Sequence, residues 1–217
     1  PWGITIKLYR RFSLTTILIA LLTPMSGCGA DPEPTTGDSA QEEAQDNSNT
    51  SESTDDQSSS GDFQVTSSAF GEGESLPEAH ACSRDGGGNL SPPLSWENPP
   101  EGLLEYALVM YHYPQGAVDN PSHYWVVWNI PASVTSLVSG NPESIGDEGS
   151  NKDGAEIGYT PPCSPGDAVH DYTIRIYALS SSPEDLGSGD NLSVGWTEFV
   201  AAVEPLSLGM AEISFTN

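Results

Sequence analysis

Short hydrophobic runs separated by turn-forming residues occupy the chain from about residue 63 onward. Such runs are typical of β-strands, and they span residues 63–69, 105–112, 123–130, 171–179 and 211–216. In the run 171–179, every second residue from Tyr172 to Ala178 is apolar, which is the period of a strand with one buried face. The run 123–130 is apolar on both faces and therefore predicts a central strand of a sandwich.

One short helix is predicted near the end of the chain. Thr197 is a suitable N-cap for a helix over 198–204, and Pro205 would end it. Strands do not alternate with helices, so a Rossmann fold or an α/β barrel is not expected. The sequence also lacks the motifs of serine hydrolases, zinc proteases and P-loop proteins. The pattern therefore predicts an all-β protein with little helix.

The N-terminal residues have the pattern of a bacterial lipoprotein signal. A basic region precedes an apolar run over 12–22, which is too short to span about 30 Å of hydrocarbon as a helix. The residues Met25-Ser26-Gly27-Cys28 resemble a lipobox, in which small residues precede a cysteine that becomes lipidated. We therefore expect residues 1–27 to be a signal peptide and Cys28 to be the lipidation site. An ordinary secretory signal is the alternative.

The segment that follows Cys28 differs sharply in composition from the rest of the chain. Residues 29–62 include ten acidic residues and no aromatic residue, lysine or arginine. Such a stretch buries too little apolar surface to offset the entropy lost on ordering it. We expect residues 28–62 to be a lipidated cysteine with a disordered acidic tether. Residues 63–217 are then one domain, long enough for a well-buried core.

Charge narrows the choice of partners. The chain has 6 basic and 31 acidic residues, a net charge of −25, and residues 63–217 hold 21 acidic residues against Arg84, Lys152 and Arg175. Phosphate backbones are bound by clustered Lys and Arg side chains, so nucleic acid is not an expected partner. A polybasic contact with an anionic membrane is excluded for the same reason, and the expected membrane attachment is the lipid on Cys28.

The predicted domain contains four distinctive segments, which are NLSPPLSW at 89–96, PPEG at 99–102, WVVWNIPA at 125–132 and GYTPPCSPG at 158–166. In this order they resemble the phosphatidylethanolamine-binding protein family, in particular its bacterial Raf-kinase-inhibitor-like branch. His170 and Tyr172 follow at the family's spacing. The resemblance covers about residues 63–217. It implies an antiparallel Greek-key β-sandwich with one or two short helices and a small cavity at one end that accepts a phosphate-like anion.

The resemblance also implies which residues line the cavity, although several differ from the family pattern. His112 stands where the family has the first Asp of its Asp-Pro-Asp-Ala-Pro motif, Tyr124 stands where it has His before Trp125, and Pro161 replaces a glycine. His170 stands where the family has its second histidine. The candidate ligand-binding residues are His112, Tyr124, Tyr159, Pro162, His170, Tyr172 and Arg84.

Cys82 and Cys163 lie in loops that border the same cavity in the family. Because an exported protein tends to oxidise its paired cysteines, we predict a disulfide between them. Buried free thiols are one alternative, and a nucleophilic Cys163 served by His170 is another. His112, His170 and either His80 or His123 could also form a three-imidazole zinc site, although their spacing matches no known motif and no metal or cofactor is predicted.

Together these features predict a lipid-anchored binding protein of the bacterial cell envelope that holds a small anion or phospholipid head group. Catalysis is not expected. Gly29 rather than Asp follows Cys28, which favours the outer membrane in a host that has one. The alternatives are a protein-interaction module or inhibitor of a protease or kinase that uses the loops at the cavity rim and, further off, a metal- or thiol-dependent enzyme.

Overall fold

A computed structural model of the protein describes residues 61–114, 117, 119–152, 154–163 and 168–217. Eight strands and one α-helix make up the regular structure of these residues. The strands are β1 (Gln64–Thr66), β2 (Leu94–Glu97), β3 (Glu105–His112), β4 (Ser122–Pro131), β5 (Ser136–Leu137), β6 (Asp147–Glu148), β7 (Asp171–Leu179) and β8 (Ser207–Thr216). The helix is α1 (Trp196–Val203), and four single-turn 3-10 helices lie in the loops.

The strands form two sheets that pack face to face. The smaller sheet has the order β1-β2-β5 and the larger one β6-β4-β3-β7-β8, and all of these strand pairings are antiparallel. Side chains from both sheets, among them Trp96 of β2 and Trp125 of β4, belong to one buried cluster. The fold is therefore an all-β sandwich, as the sequence predicts.

A second buried cluster covers the outer face of the larger sheet. It joins Trp128 of β4 and Tyr177 of β7 to Phe199 and Val203 of α1. Strand β4 is thus buried on both faces, with Trp125 to Trp128 completely inaccessible to solvent. This burial explains its continuous apolar run. In the described part of the chain no helix is long and apolar enough to cross a membrane.

The helix begins earlier than the sequence predicts. Gly195 rather than Thr197 is the N-cap, and the helix runs from Trp196 to Val203. Glu198 accepts a hydrogen bond from the Gly195 backbone N–H at 3.2 Å, so a carboxylate in the first turn satisfies a backbone donor that the cap leaves open. The predicted cap at Thr197 was therefore wrong by two residues. The chain continues past Val203 as a 3-10 turn over Glu204–Leu206.

The loop that follows β1 covers the outer edge of β8. Gly73 and Leu76 donate backbone hydrogen bonds to the carbonyls of Ser214 and Thr216, and Thr216 donates one to the carbonyl of Glu74. An uncovered edge strand is a template for aggregation. Here the last residues of β8, at Ser214 and Thr216, are hydrogen-bonded along that edge. The start of the domain thus contacts its last strand.

The predictions for the N-terminal part of the chain fall outside the described residues. These are the signal peptide at 1–27, the lipidation of Cys28 and almost all of the tether at 28–62. Only Gly61 and Asp62 at the end of the tether are described, and both are exposed.

Candidate functional site

The candidate site lies at the end of the larger sheet, where β3 ends and β4 and β7 begin. His112 is the last residue of β3, Tyr124 lies near the start of β4, and His170 and Tyr172 flank the start of β7. Because β3 is adjacent and antiparallel to both β4 and β7, the end of β3 and the beginnings of β4 and β7 meet at the same end of the sheet. A cavity of about 330 Å³ opens there, lined by His112, Pro114, Ser122, Tyr124, Lys152, Thr160, Pro161, Cys163, His170 and Tyr172.

Two histidines contact each other in this cavity. His112 Nε2 lies 3.2 Å from His170 Nδ1, and the ring centres are 5.0 Å apart. His112 is only 9% exposed, and its Nδ1 atom has no hydrogen-bond partner among the described residues. His170 is half-buried. A polar nitrogen buried without a partner in a cavity wall is unusual in folded proteins and marks this position as a candidate for ligand contact.

Aromatic rings hold the pair in place. The Tyr172 ring stacks on His112 at a centre distance of 5.1 Å and on Phe215 at 5.3 Å on β8. The Tyr124 ring is nearly perpendicular to the rings of both His112 and Tyr172, with ring centres 6.2 and 5.1 Å away. Tyr124 and Tyr172 are almost fully buried, so this wall of the cavity is preorganised by the core of the sandwich.

Burial is the main influence on the charge of His112. It lowers the His112 pKa below the ordinary value, and the neighbouring His170 and Lys152 lower it further, while Asp171 acts in the opposite direction. His112 is therefore neutral at pH 7. Among the described residues that line the cavity, Lys152 carries the only permanent positive charge. Its Nζ atom lies 5.9 Å from the centre of the Tyr124 ring.

A disulfide forms part of the cavity wall. Cys82 and Cys163 are joined, with Cα atoms 5.1 Å apart, which is the pairing that the sequence predicts. Cys163 lines the cavity, whereas Cys82 is buried beside the 3-10 turn Ser83–Asp85. The bond ties that turn to the segment that contains Thr160 and Pro161. Since the Cys163 sulfur is bonded, it is not available as a nucleophile in this state.

The structure brings four of the seven predicted ligand-binding residues together and places three elsewhere. Arg84 makes an exposed bidentate pair with Asp85 and is not among the cavity-lining residues. The Tyr159 hydroxyl donates to the His80 carbonyl at 2.8 Å, and its ring packs edge-on against Trp125. Pro162 is buried, and its neighbour Pro161 lines the cavity instead.

Lys152, Ser122 and Thr160 line the cavity without having been predicted. Ser122 directly precedes the predicted strand at 123–130, and this position at a strand end could have indicated that it lies near the cavity. Lys152 is one of three basic residues in the domain, which singles it out by charge. The sequence does not show that the loop after β6 returns to this edge of the sheet, so Lys152 could not be distinguished from Arg84.

The three-imidazole zinc site, which the sequence left open as an alternative, does not form among the described residues. His80 Nδ1 is hydrogen-bonded to the Leu90 carbonyl at 2.9 Å, and His123 Nε2 lies 3.4 Å from Ser150 Oγ on the other face of β4. Strand alternation places neighbouring residues on opposite faces, which separates His123 from Tyr124. The hypothesis is wrong in this form because only His112 and His170 meet.

A second cavity shares the two histidines. It has a volume of about 440 Å³ and is lined by Tyr111, His112, Tyr113, Ala168, Val169, His170, Asp171 and Thr173. Val169 is 74% exposed and Tyr113 is 46% exposed, so apolar groups stand at its rim. The histidine pair thus lies between two concave surfaces, one with a lysine and one with an aspartate.

Several known proteins are similar to this chain over most of the domain. The sequence model described as "Phosphatidylethanolamine-binding protein" matches residues 66–216. A UPF0098 protein of Chlamydia muridarum is 34% identical over 158 residues, which are 71% of this chain and 97% of that protein.

Two solved structures are similar over the domain. The crystal structure of Escherichia coli YbcL, a protein described as a new member of the mammalian PEBP family, has a TM-score of 0.62 and 30% identity, covering 72% of this chain and 98% of YbcL. The phosphatidylethanolamine-binding protein homologue CT736 of Chlamydia trachomatis has a TM-score of 0.60 and 31% identity, covering 71% of this chain and 96% of CT736. The chain therefore belongs to the phosphatidylethanolamine-binding protein family.

Proposed function

We propose that this protein binds a small anion, such as a phosphate or carboxylate group, in the cavity at the end of the sandwich. The observation that carries the proposal is the convergence of imidazole, ammonium and hydroxyl donors on one partly enclosed space of about 330 Å³. Nitrogen and hydroxyl donors of this kind satisfy an oxyanion, and a charged donor strengthens the contact. The anion would be a free metabolite or the head group of a phospholipid.

Lys152 is expected to provide most of the attraction. His112 is neutral at pH 7 because burial lowers its pKa, and the domain has a net charge of −18. A negative domain repels anions at long range, so binding depends on the local ammonium group. Replacement of the family's Asp by His112 removes one negative charge from the cavity wall. Both features support anion binding at a site whose residues differ from the family pattern.

The test measures anion binding to the full chain in detergent and in the presence of EDTA. Inorganic phosphate, phosphorylethanolamine and acetate are titrated by calorimetry. Phosphate binding supports a free anion, and binding to phosphorylethanolamine alone supports a head group. Lys152→Gln should weaken binding at least about tenfold because one charge-assisted contact is lost. Arg84→Gln is the matched control and should bind like wild type.

Absence of saturable binding to any of these anions would refute the proposal. Equal affinity in Lys152→Gln and wild type would also refute it, because binding would then take place away from the cavity. A ligand at 100 times its dissociation constant adds about 2.7 kcal/mol to the stability of the folded state. A thermal-shift measurement with phosphate is therefore an independent check.

The proposal includes attachment to the bacterial cell envelope through a lipid on Cys28, with the outer membrane favoured. Its support is the sequence pattern of the first 28 residues and the acidic segment that follows. The test is expression in a bacterium that is fed radiolabelled palmitate, followed by membrane fractionation. Label should appear in the wild-type chain and be absent from Cys28→Ser. A wild-type chain without label and in the soluble fraction would refute the anchor.

A second candidate function, capture of a protein partner, is favoured by one observation. The exposed apolar side chains of Val169 and Tyr113 stand at the rim beside the histidine pair, and such side chains are typical of contact surfaces. Val169→Glu with Tyr113→Ser should then abolish capture of the partner, while phosphate affinity is retained. Loss of phosphate binding in the same variant would favour the anion site instead.

A further inference from the structure

We infer that His112 and His170 together bind one divalent transition-metal ion, with the remaining coordination positions open to water or to an anion. The inference goes beyond the proposed anion binding, because it requires only the two imidazole rings. A metal site and an anion site can each exist without the other, and their tests are separate.

The first argument is the spacing of the two nitrogen atoms. Two imidazole nitrogens that are each about 2.0–2.1 Å from one tetrahedral zinc ion lie about 3.3 Å from each other. His112 Nε2 and His170 Nδ1 are 3.2 Å apart. A metal ion can therefore be accommodated between them without a substantial movement of either strand end.

The second argument is the orientation of the rings. In a straight N–H···N hydrogen bond both nitrogens lie on the line between the ring centres, and at this N···N spacing the centres would be about 5.5 Å apart. The observed centres are 5.0 Å apart, with an angle of 75° between the ring planes. At least one nitrogen is thus directed away from that line. Inclined rings of this kind fit two ligands of one ion better than a straight hydrogen bond.

The third argument is that few groups compete for these nitrogens. Among the described residues His170 makes no side-chain hydrogen bond except the contact with His112. Nδ1 of His112 is buried without a partner. By contrast, His80 and His123 each have another partner, the Leu90 carbonyl and the Ser150 hydroxyl. The pair is therefore the part of the described chain in which imidazole lone pairs converge.

The charges next to the pair act in both directions, and the charge of the whole domain favours a cation. His170 and Lys152 disfavour positive charge on His112, and Asp171, which follows His170 and lines the second cavity, favours it to a smaller extent. The other groups that face the pair are the rings of Tyr124 and Tyr172. The domain as a whole has a charge of −18, which attracts a dication and repels a free anion. Imidazole and carboxylate donors suit zinc and copper, with copper the tighter of the two.

One feature of the site limits the affinity. A metal on Nε2 moves the His112 proton to Nδ1, which is buried and has no acceptor among the described residues. Metal-bound histidines usually donate this proton to a carboxylate, a carbonyl or water. We therefore expect weaker binding than at a closed structural zinc site, and competition by protons below neutral pH.

The test uses Cu²⁺ alone and Zn²⁺ alone with the full chain in detergent, without a histidine tag and with Cys28→Ser, so that the thiol does not bind metal. Pulsed EPR of the copper form should show two imidazole ligands, at one copper per chain. Copper affinity should fall at least about tenfold in His112→Gln and in His170→Gln. His123→Gln is the matched control and should keep both the spectrum and the affinity of the parent. Near-UV circular dichroism in EDTA shows whether each variant is folded.

Unchanged imidazole signals in both folded pair variants would overturn the inference, as would loss of the signal in His123→Gln. If the pair variants do not fold, the unmutated pair is modified with diethyl pyrocarbonate and mapped by mass spectrometry. Zn²⁺ should then slow modification of His170 at least about tenfold relative to His123. Equal rates with and without Zn²⁺ would also overturn it.

Discussion

Removal of the Cys82–Cys163 disulfide should reduce the stability of the domain by several kcal/mol. The two cysteines are 81 residues apart in the chain, and between them lie β2 to β6. Opening a loop of this length increases the entropy of the unfolded chain. The chain-entropy relation gives an upper value of about 4.5 kcal/mol at 25 °C, and measured disulfide contributions are typically 2–4 kcal/mol. We expect the double variant Cys82→Ala/Cys163→Ala to lose about 2–4 kcal/mol.

The assay is urea unfolding followed by tryptophan fluorescence, since three of the domain's tryptophans, Trp96, Trp125 and Trp128, are buried. The midpoint should fall and the urea dependence should steepen, because an unfolded chain without the cross-link exposes more surface. Wild-type protein treated with a reductant is the control and should unfold like the double variant. Identical midpoints for oxidised wild type, reduced wild type and variant would refute the reasoning. A mass spectrum with two additional hydrogens in the purified wild type would show that the bond is absent.

Three further perturbations test other parts of the structure. Arg175→Met should lower the free energy of unfolding in urea by about 1–3 kcal/mol, because Arg175 donates hydrogen bonds to Glu212, Tyr177 and Tyr111 at 2.6–2.9 Å. The control Arg84→Met breaks an exposed pair and should have no measurable effect. Equal losses of stability in the two variants would contradict this prediction. Gly87→Ala should lower the free energy of unfolding by about 1–3 kcal/mol, because a β-carbon at this position would overlap the Ala81 carbonyl. An unchanged melting temperature would show that the loop adapts to the additional carbon. Burial lowers the His112 pKa in the folded state, so the unfolded chain binds a proton at this residue first as the pH falls. The stability of the wild type in EDTA should therefore decrease from about pH 7 to pH 5 more steeply than the stability of His112→Gln. Parallel pH profiles of the two proteins would show that His112 does not contribute.

The long strands could be predicted from the sequence because their apolar patterns reflect how they are buried, with alternation in β7 and continuous apolar runs in β3 and β4. β3 and β7 begin and end at the predicted residues, 105–112 and 171–179. The two-residue strands β5 and β6 were not predicted, because two residues contain no period. β8 extends four residues further toward the N-terminus than predicted, to Ser207. Its first half contains Gly209, and its apolar residues Leu208 and Met210 lie on the exposed face, opposite to the face that Ile213 and Phe215 bury.

The candidate site was predictable only where residues lie at strand ends. His112, Tyr124, His170 and Tyr172 end or begin long strands, so their meeting follows from the antiparallel order of the larger sheet. Lys152 reaches the site through a loop whose path depends on isolated backbone contacts, such as that between Ser150 and Val194. Contacts of this kind leave no pattern in a single sequence. Tyr159, by contrast, was predicted to contact the ligand but does not line the cavity, because its hydroxyl donates to the His80 carbonyl instead.

The hydrogen bonds between the loop after β1 and strand β8 determine when the domain can complete its fold during synthesis. Ser75 and Thr216 are in contact although they are 141 residues apart in the chain. At about 5–20 residues per second, the ribosome needs roughly 7–28 seconds to produce β8 after Ser75. Once β7 has been made, it has no partner on its outer edge until β8 follows, and the inner face of the larger sheet lacks Ile213 and Phe215. The unfinished chain therefore leaves an unpaired strand edge and apolar surface exposed, which are the features that make folding intermediates prone to aggregation.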